Sequence, residues 1–423
     1  MSDLVFFTDR YPFNTSEAFI ENEIAIMAKH YNRVFILPCG LMVNTDTCRN
    51  VPKNVHVLPP PCSDDIYQSK PTFMKKMIWG VRNLYFWMFL CFFYKVFYKE
   101  LSYLIFEVGF TPSRLLRIIR SLAPSLRNKK YYSKILKKYQ LENVICYSYW
   151  LEPTILFAEK IVGCPIDKII SRTHRWDLYI EESRIGYLAF QKQIISTINH
   201  LYVISNDGYN YLCKKYPCYR EKMSVSRLGT KDYGLNKQGD QTIFRIVSCS
   251  NMIQVKRVDK IIDALSKLNI PKIKIQWVHF GAGQLFNELK TEASSKLNNI
   301  DYLFMGQVTN KEVVSYYMNN HVNLFINVSE SEGIPVSIME AISFGIPVIA
   351  TDVGGTSEIV IDGFNGLLLN KTFDIDKLVD VISCAILGEI NLPSFRKNAR
   401  ILWTEKYSCE KNYYKFYENI GKS

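Results

Sequence analysis

An α/β protein of two doubly wound domains is predicted by three features of the 423 residues. Short β-rich apolar runs alternate with helix-period stretches along nearly the whole chain. A polar, glycine-bearing segment interrupts that rhythm near the middle, and the rhythm then restarts. The length agrees, since domains of ~100–200 residues make this chain two domains rather than one. An apolar fraction of 48% with 22% charged residues excludes a disordered chain.

In the first half, strands are predicted at residues 4–8, 33–37, 55–58, 144–149, 168–173, 201–205 and 224–228, with helices such as 17–30, 154–162 and 182–199 between them. Residues 229–241, GTKDYGLNKQGDQ, read as the linker. Strands follow at 244–250, 273–280, 302–305, 322–326 and 347–350, separated by helices near 258–268, 284–297, 310–319 and 335–344, and then comes a helix at 374–387. From 393 to 420 only helical material remains, expected to fold back over the first domain. The predicted division is 1–235, 236–405 and a returning helix at 406–423. Two such domains are expected to face a central cleft at the carboxyl ends of their strands, where open α/β sheets bind ligands.

The net charge of +12 belongs wholly to the first half: Lys+Arg minus Asp+Glu is 32 − 20 for residues 1–235 and 20 − 20 for 236–423. Residues 111–140 carry nine bases and no acid, with Arg114, Arg117 and Arg120 at three-residue spacing on one helix. That field attracts phosphate and points to anionic lipid or a lipid diphosphate. Just before it, residues 84–94 form an unbroken apolar and aromatic run, too short for the ~20 residues of a spanning helix. Two readings stand for this run: a helix buried in the first domain, or insertion at a membrane interface. Contact with an anionic membrane surface is accordingly expected through residues 84–140. Nucleic acid is not an expected partner, because no recognition motif or base-stacking array accompanies the charge.

Eleven scattered cysteines without a C-x-x-C pair suit a reduced compartment and no structural zinc. The opening residues lack a basic n-region and a long apolar run, so the expected location is cytoplasmic, on the inner face of the cell membrane where it is peripheral. Asp374 and Asp376 form a D-x-D, but they open a helix, where acids suit the dipole, and no metal is predicted.

The strongest local signal is ESEGIPVSIMEAISFG, residues 330–345. Pro335 suits the first helical position, Gly333 permits a tight turn before it, and the free amides of the helix start make a seat for a diphosphate. Glu332 and Glu340 bracket that seat, and carboxylates accept hydrogen bonds from vicinal hydroxyls such as those of ribose or a hexose.

This stretch, continued through IVIDGFNGLLL to residue 369, resembles the nucleotide-sugar core of the retaining glycosyltransferases of family four, which have the GT-B fold. VSCSNMIQVKRVDKIIDAL, WVHFGAGQLFNELK and YLFMGQVTNKEVVSYY agree in order, and SRTHRWDLYIEE and VSRLGT agree more loosely in the first half. The resemblance implies transfer of a hexose-type sugar from a nucleotide diphosphate sugar to a glycan or lipid-linked glycan acceptor, in surface polysaccharide or lipopolysaccharide assembly, without a cofactor. It places Glu340 on the ribose hydroxyls, Glu332 on the transferred sugar, Lys256 on the diphosphate, and the amides of Ile334 and Val336 on the diphosphate or sugar. Ser250, Gly281 and Gly283 fall near the nucleotide, and Gln307 and Val308 beside the base. His174, at the end of a strand, matches the family's first-domain histidine near sugar and acceptor.

Asn14 and Thr15 in the first βα turn, with Arg172, Arg175 and Asp177 around His174, are the acceptor-side candidates. One departure is plain: Asn251 stands where the family has an arginine, and Arg257 is the nearest substitute cation. A sugar-nucleotide epimerase of the same architecture, or a phosphate-binding scaffold weakened in catalysis, is the alternative. The first would convert the nucleotide sugar without an acceptor.

Overall fold

The computed structural model describes residues 2–13, 17–40, 43, 45, 47–61, 85–237, 239 and 242–422. It divides into two compact units, one of Met1–Ile204, Gly208–Ser226 and Tyr417–Ser423, the other of Ser205–Asp207 and Arg227–Phe416. The main division thus falls at 226/227, ahead of the expected 235/236. The reason is local: Thr230 pairs with Ser408 as a β-bridge and its N–H donates to Tyr407 O at 3.0 Å. A Cβ on Gly229 would lie 2.5 Å from the Cys409 backbone. The first residues of the expected linker are packed parts of the second unit.

The first unit is built on β1 (Leu4–Thr8), β2 (Val34–Pro38), β3 (Val55–Val57), β4 (Val144–Ser148), β5 (Ile166–Thr173), β6 (His200–Val203) and β7 (Met223–Val225). All neighbours are parallel, in the order β3-β2-β1-β4-β5-β6-β7. β1, β2 and β4 are buried at every residue, which explains their continuous apolar runs. The strand order reverses between β1 and β4, the switch point where such sheets take ligands.

Helix α1 (Glu21–His30) follows β1, and α2 (Pro112–Leu136) carries Arg114, Arg117 and Arg120 in its first half. Thr111 caps α2 through Arg114 N–H, and Ile118, Leu122, Leu126, Tyr132 and Leu136 bury its inner face. The predicted helix 182–199 shrinks to α3 (Gln191–Thr197). Ahead of it, Ser183 Oγ donates to Tyr187 O at 2.9 Å, and Phe190 holds φ 67°, so the backbone turns instead of coiling.

Neither reading of the run 84–94 describes its residues alone; residue 84 lies outside the described set. Residues 86–93 form two short helical turns in which Cys91 is buried and Trp87, Met88 and Leu90 pack on the core. Phe86, Phe89, Phe92 and Phe93 face outward, from 43% to 70% exposed. Tyr98, Ile105, Phe106 and Phe110 extend that apolar surface. Among the described residues no helix is long and apolar enough to cross a membrane.

Residues 417–423 of the terminal helix belong to the first unit. There Tyr417 Oη donates to Glu23 at 2.5 Å, and Glu23 also forms a fully buried 2.7 Å ion pair with Arg172.

The second unit carries β8 (Ile243–Cys249), β9 (Lys274–Phe280), β10 (Asp301–Phe304), β11 (Leu324–Asn327), β12 (Val348–Thr351) and β13 (Gly366–Leu369), in the order β10-β9-β8-β11-β12-β13 and parallel throughout. β13 is absent from the sequence expectation. It is four residues long, and a Cβ at Gly366 would sit 2.1 Å from Val348 O, so its pairing depends on a residue that reads as a turn signal. The core joins Ile246, Trp277 and Ile326 to α4 (Val258–Ser266) and to the helix Ile375–Ile386. Asp374 caps that last helix through Asp376 N–H, and Asp376 pairs with Lys267 at 2.6 Å, so the D-x-D is spent on helix capping and a surface ion pair. Helix α5 (Val336–Ser343) follows β11.

Candidate active site

The switch point of the second sheet lies between β8 and β11, and the two loops that leave it carry the predicted charged residues. After β8, Ser250 and Asn251 lead to a 3-10 turn, Gln254–Lys256, placed before α4. After β11, residues 328–335 lead to α5. Glu330 N–H donates to Val255 O at 2.9 Å and stitches the two loops together. Lys256 Nζ then meets Glu332 Oε1 at 2.6 Å, with Glu332 buried and Lys256 largely so. Asn327 Nδ2 reaches the same Glu332 oxygen at 3.4 Å, and Asn327 Oδ1 accepts from Ser329 Oγ at 2.7 Å. Glu332 is therefore held from two sides.

The structure moves Pro335 one place outward from its expected first helical position. It is the residue capping the helix, in extended conformation (φ −71°, ψ 115°), and α5 begins at Val336. Pro335 O receives both Ile338 and Met339 N–H, and no side chain caps the helix. The amides of Val336 and Ser337 precede the ladder and are the open donors of this end. Gly333, Ile334 and Pro335 are buried beneath them.

What seats this loop is a pair of glycines that the sequence reading gave no role. Gly354 holds φ +53°, and a Cβ there would lie 1.9 Å from Glu332 O. A Cβ on Gly355 would lie 2.6 Å from Gly333 O, to which Gly355 N–H donates at 2.7 Å. The signal was present as the pair GG just after β12, but its contact is visible only in three dimensions.

Glu340 lies two turns into α5, where burial pushes its carboxyl up to about 7 while a 2.5 Å hydrogen bond from Asn310 Nδ2 opposes the rise. Cys249, at the end of β8, is pushed up to about 12 chiefly by burial, with Glu340 raising it and Lys256 lowering it, so both charges bear on this one residue.

The loops after β8 and β9 lie backbone against backbone. Gly281 (φ +130°) leaves no room for a Cβ, which would fall 2.0 Å from Ser250 O, and Gly283 would meet Met252 O at 2.5 Å. Beneath them buried His279 bridges Ser248 Oγ (2.8 Å) and Ser250 O (3.1 Å). Since a carbonyl only accepts, Nε2 carries the proton and donates to Ser250 O. Burial holds this ring down to about 4, neutral at ordinary pH.

Asn251 is exposed. Arg257, the nearest substitute cation, turns away: it donates to Lys371 O at 2.8 Å and lies over the Phe373 ring, with Glu330 at 3.8 Å. Gln307 is exposed and Val308 half-buried, between Gly306 and the helix Asn310–Asn319.

In the first unit His174 follows β5 and is buried, with neither ring nitrogen hydrogen-bonded among the described residues. Its ring stacks on Tyr149 (4.6 Å) and lies 4.3 Å from Trp150. Burial and then Arg172 hold it well below the usual imidazole range. Asp177, pushed up to about 6 by burial, accepts from the amides of His174 (2.8 Å) and Leu151 (2.9 Å) and so fixes both loops. Arg175 pairs with Glu182 at 2.9 Å. Arg172 is fully buried in an ion pair with Glu23 and lies over the Tyr149 ring on which His174 stacks. Asn14 and Thr15 lie outside the described residues.

Glu17, read in sequence as the first residue of a helix, is left-handed (φ 55°), and its carboxylate accepts from Asp9, Arg10 and Tyr11 N–H and from Trp150 Nε1, at 2.6–3.2 Å.

Residues 235–401 match the model of the glycosyl transferases group 1. The chain carries a glycosyl transferases group 1 domain. That domain holds the whole Lys256–Glu332 site. Among curated relatives, the O-antigen biosynthesis glycosyltransferase WbnH of Escherichia coli is 32% identical over 145 residues, 33% of this chain and 39% of its own length. An uncharacterized 41.2 kDa protein in the cps region of Klebsiella pneumoniae is 24% identical over 54% of this chain and 64% of its own. The chain therefore spans less than two thirds of these relatives. Among solved structures, the lipopolysaccharide outer core galactosyltransferase WaaB superposes with TM-score 0.63 at 15% identity over 99% of this chain and 98% of its own. Anabaena HepE in complex with UDP gives 0.64 at 14% identity over the full length of both. These likenesses show the GT-B fold, two Rossmann-like domains, around the group 1 domain.

Proposed function

We propose that the protein is a retaining glycosyltransferase that moves a hexose-type sugar from a nucleotide diphosphate sugar to a hydroxyl of a glycan or lipid-linked glycan, in surface polysaccharide or lipopolysaccharide assembly. The observation that carries this reading is the buried Lys256–Glu332 pair beside the uncapped start of α5, inside a group 1 domain. The names of WbnH and WaaB and the UDP bound to HepE support the substrate class.

In this reading the amides of Val336 and Ser337 and the Lys256 ammonium receive the donor's diphosphate. The bond from the sugar's anomeric carbon to the phosphate oxygen breaks, and the acceptor oxygen bonds to that carbon on the same face. The acceptor's proton goes to the departing phosphate oxygen. Lys256 stabilises the negative charge growing there, and Glu332 takes hydrogen bonds from the transferred sugar. Glu340, past the amides, accepts from the ribose hydroxyls. The reaction as written needs no metal and no cofactor. The exposed aromatics of residues 85–110 and the cationic face of α2 would rest on an anionic membrane surface, where a lipid-linked acceptor is found. That reading makes the protein peripheral to the inner face of the cell membrane.

The test is a donor screen with purified protein, by thermal shift and then by donor hydrolysis or transfer in the presence of EDTA. The expected outcome is a shift with a nucleoside diphosphate, turnover of one of its sugars, and a loss of about 10²–10³ in kcat for Lys256→Ala. Undiminished turnover in both Lys256→Ala and Glu340→Ala would overturn the site. Conversion of the nucleotide sugar without an acceptor, to its epimer, would overturn the reaction.

A further inference from the structure

We propose that the first unit holds a binding site for a carbohydrate bearing a phosphate or diphosphate, formed by Asp9 and Glu152 at the strand ends, Arg117 and Arg120 on α2, and Trp150 and Trp176 on the loops after β4 and β5. The proposal deepens the acceptor side of the function above and rests on it for the word acceptor. The binding itself stands on the first unit alone.

A cavity of about 170 Å³ opens at the carboxyl ends of β1, β2 and β4, on the switch point of the first sheet, and is lined by Asp9, Glu152, Trp150, Arg117 and Arg120. A second cavity, of about 480 Å³, shares Arg117 and Arg120 and reaches Trp176. The rings of Trp150 and Trp176 lie 5.0 Å apart and join the two spaces, and Trp176 is 42% exposed.

The chemistry of the inner space is that of hydroxyl recognition. Glu152 stands at the start of a 3-10 turn and makes no side-chain cap hydrogen bond to it. Burial first, and then Asp9, push Glu152 up to about 8, and burial with Glu17 raises Asp9. A protonated carboxyl donates and a carboxylate accepts, which together suit vicinal hydroxyls and reject an anion. The amides of Asp9, Arg10 and Tyr11 offer no seat for a phosphate, since they already donate to Glu17.

Arg117 and Arg120 differ from their neighbours on α2. Arg114 donates to the carbonyls of Val108, Gly109 and Ile185, and buried Arg127 to Gly40 O. Arg117 and Arg120 are exposed and have no ion-pair partner among the described residues. Two guanidiniums three residues apart on one helix are a fork for phosphate oxygens. The polarity orients the ligand: sugar toward Asp9 and Glu152, phosphate toward the arginines, and a ring face on Trp176.

The experiment is a titration of the full chain, followed by tryptophan fluorescence and calorimetry, with glucose 1-phosphate, galactose 1-phosphate and N-acetylglucosamine 1-phosphate. The parent sugars and inorganic phosphate are titrated at the same ionic strength. The expected result is saturable binding of a sugar phosphate, tighter than of its sugar or of phosphate. Arg120→Ala should weaken it about tenfold or more, with partial recovery in Arg120→Lys. Glu152→Ala should weaken the sugar phosphate while leaving inorganic phosphate unaffected, and Trp176→Phe should remove most of the fluorescence signal while calorimetry still reports heat. No saturable binding of any of the three up to about 20 mM, or equal affinity for phosphate alone, overturns the proposal. A thermal shift with the panel of nucleoside diphosphates of the donor screen separates the two readings. Its absence with sugar phosphate binding intact sinks the donor site only, and the reverse result sinks this site only.

Discussion

The two sheets share one topology at their centres and solve the same problem in opposite ways. In each, the strand order reverses beside the first strand of the unit, and the loops that leave the switch point present backbone amides that need an acceptor. In the second unit the open amides of Val336 and Ser337 meet no side-chain cap, and the carboxylate of the preceding loop, Glu332, pairs with Lys256 instead. In the first unit the amides of Asp9, Arg10 and Tyr11 are already filled by the chain's own Glu17. The lesson is that equal topology does not give equal ligand chemistry. Where backbone donors are spent internally, an anion must be received by side chains, and the arginines of α2 supply them.

The largest effect expected from breaking this contrast is at Gly354. In Gly354→Ala the new Cβ would collide with Glu332 O at 1.9 Å, on a backbone with φ +53° that disfavours any side chain. The loop bearing Glu332 and Gly333 must move, and it carries the anion seat with it. The expected outcome is a loss of about 100-fold in nucleotide affinity by calorimetry, with a lower melting temperature. Wild-type affinity in this variant would mean that the seat does not depend on the glycine pair.

A smaller effect is expected at Glu17. Glu17→Ala leaves three loop amides and the Trp150 indole N–H without their acceptor, at a cost of about 1–3 kcal/mol in chemical denaturation. The variant converts the first switch point toward the second, because its amides become available to an external anion. Added phosphate should therefore raise the melting temperature of Glu17→Ala more than that of the wild type at equal ionic strength. Equal shifts would show that the vacated amides close on themselves.

How much of this was legible in the sequence follows the same division. The parallel strands were readable because buried runs such as LVFFT and VFILP have no other use. The start of α5 was readable to within one residue from Gly333 and Pro335. That Lys256 meets Glu332 across 76 residues was implied only by resemblance, since spacing alone carries no contact. Glu17 was read as the first residue of the helix 17–30, and only the backbone shows the left-handed turn that it adopts instead. Arg172 looked available beside His174, yet its partner Glu23 lies 149 residues away. Charge that reads as surface in a sequence becomes structural when a distant carboxylate meets it.

The smallest effect, and the one that most finely resolves the second site, concerns Glu340. Burial raises its carboxyl to about 7, above the 4.5 of an unfolded chain. The folded state holds this proton more tightly, so its contribution to stability is full below about 4.5 and is lost as the pH rises through about 7. Glu340→Gln, which keeps the shape and can still meet Asn310, should flatten the fall in melting temperature over that window. Nucleotide binding should show the opposite trend, because ribose hydroxyls donate best to the ionised carboxylate. Wild-type affinity should improve a few-fold as the pH rises through 7, and the variant should show no such gain. If the two proteins share one pH profile for binding, the ribose is held elsewhere, and Glu340 belongs to the packing of α5 rather than to the site.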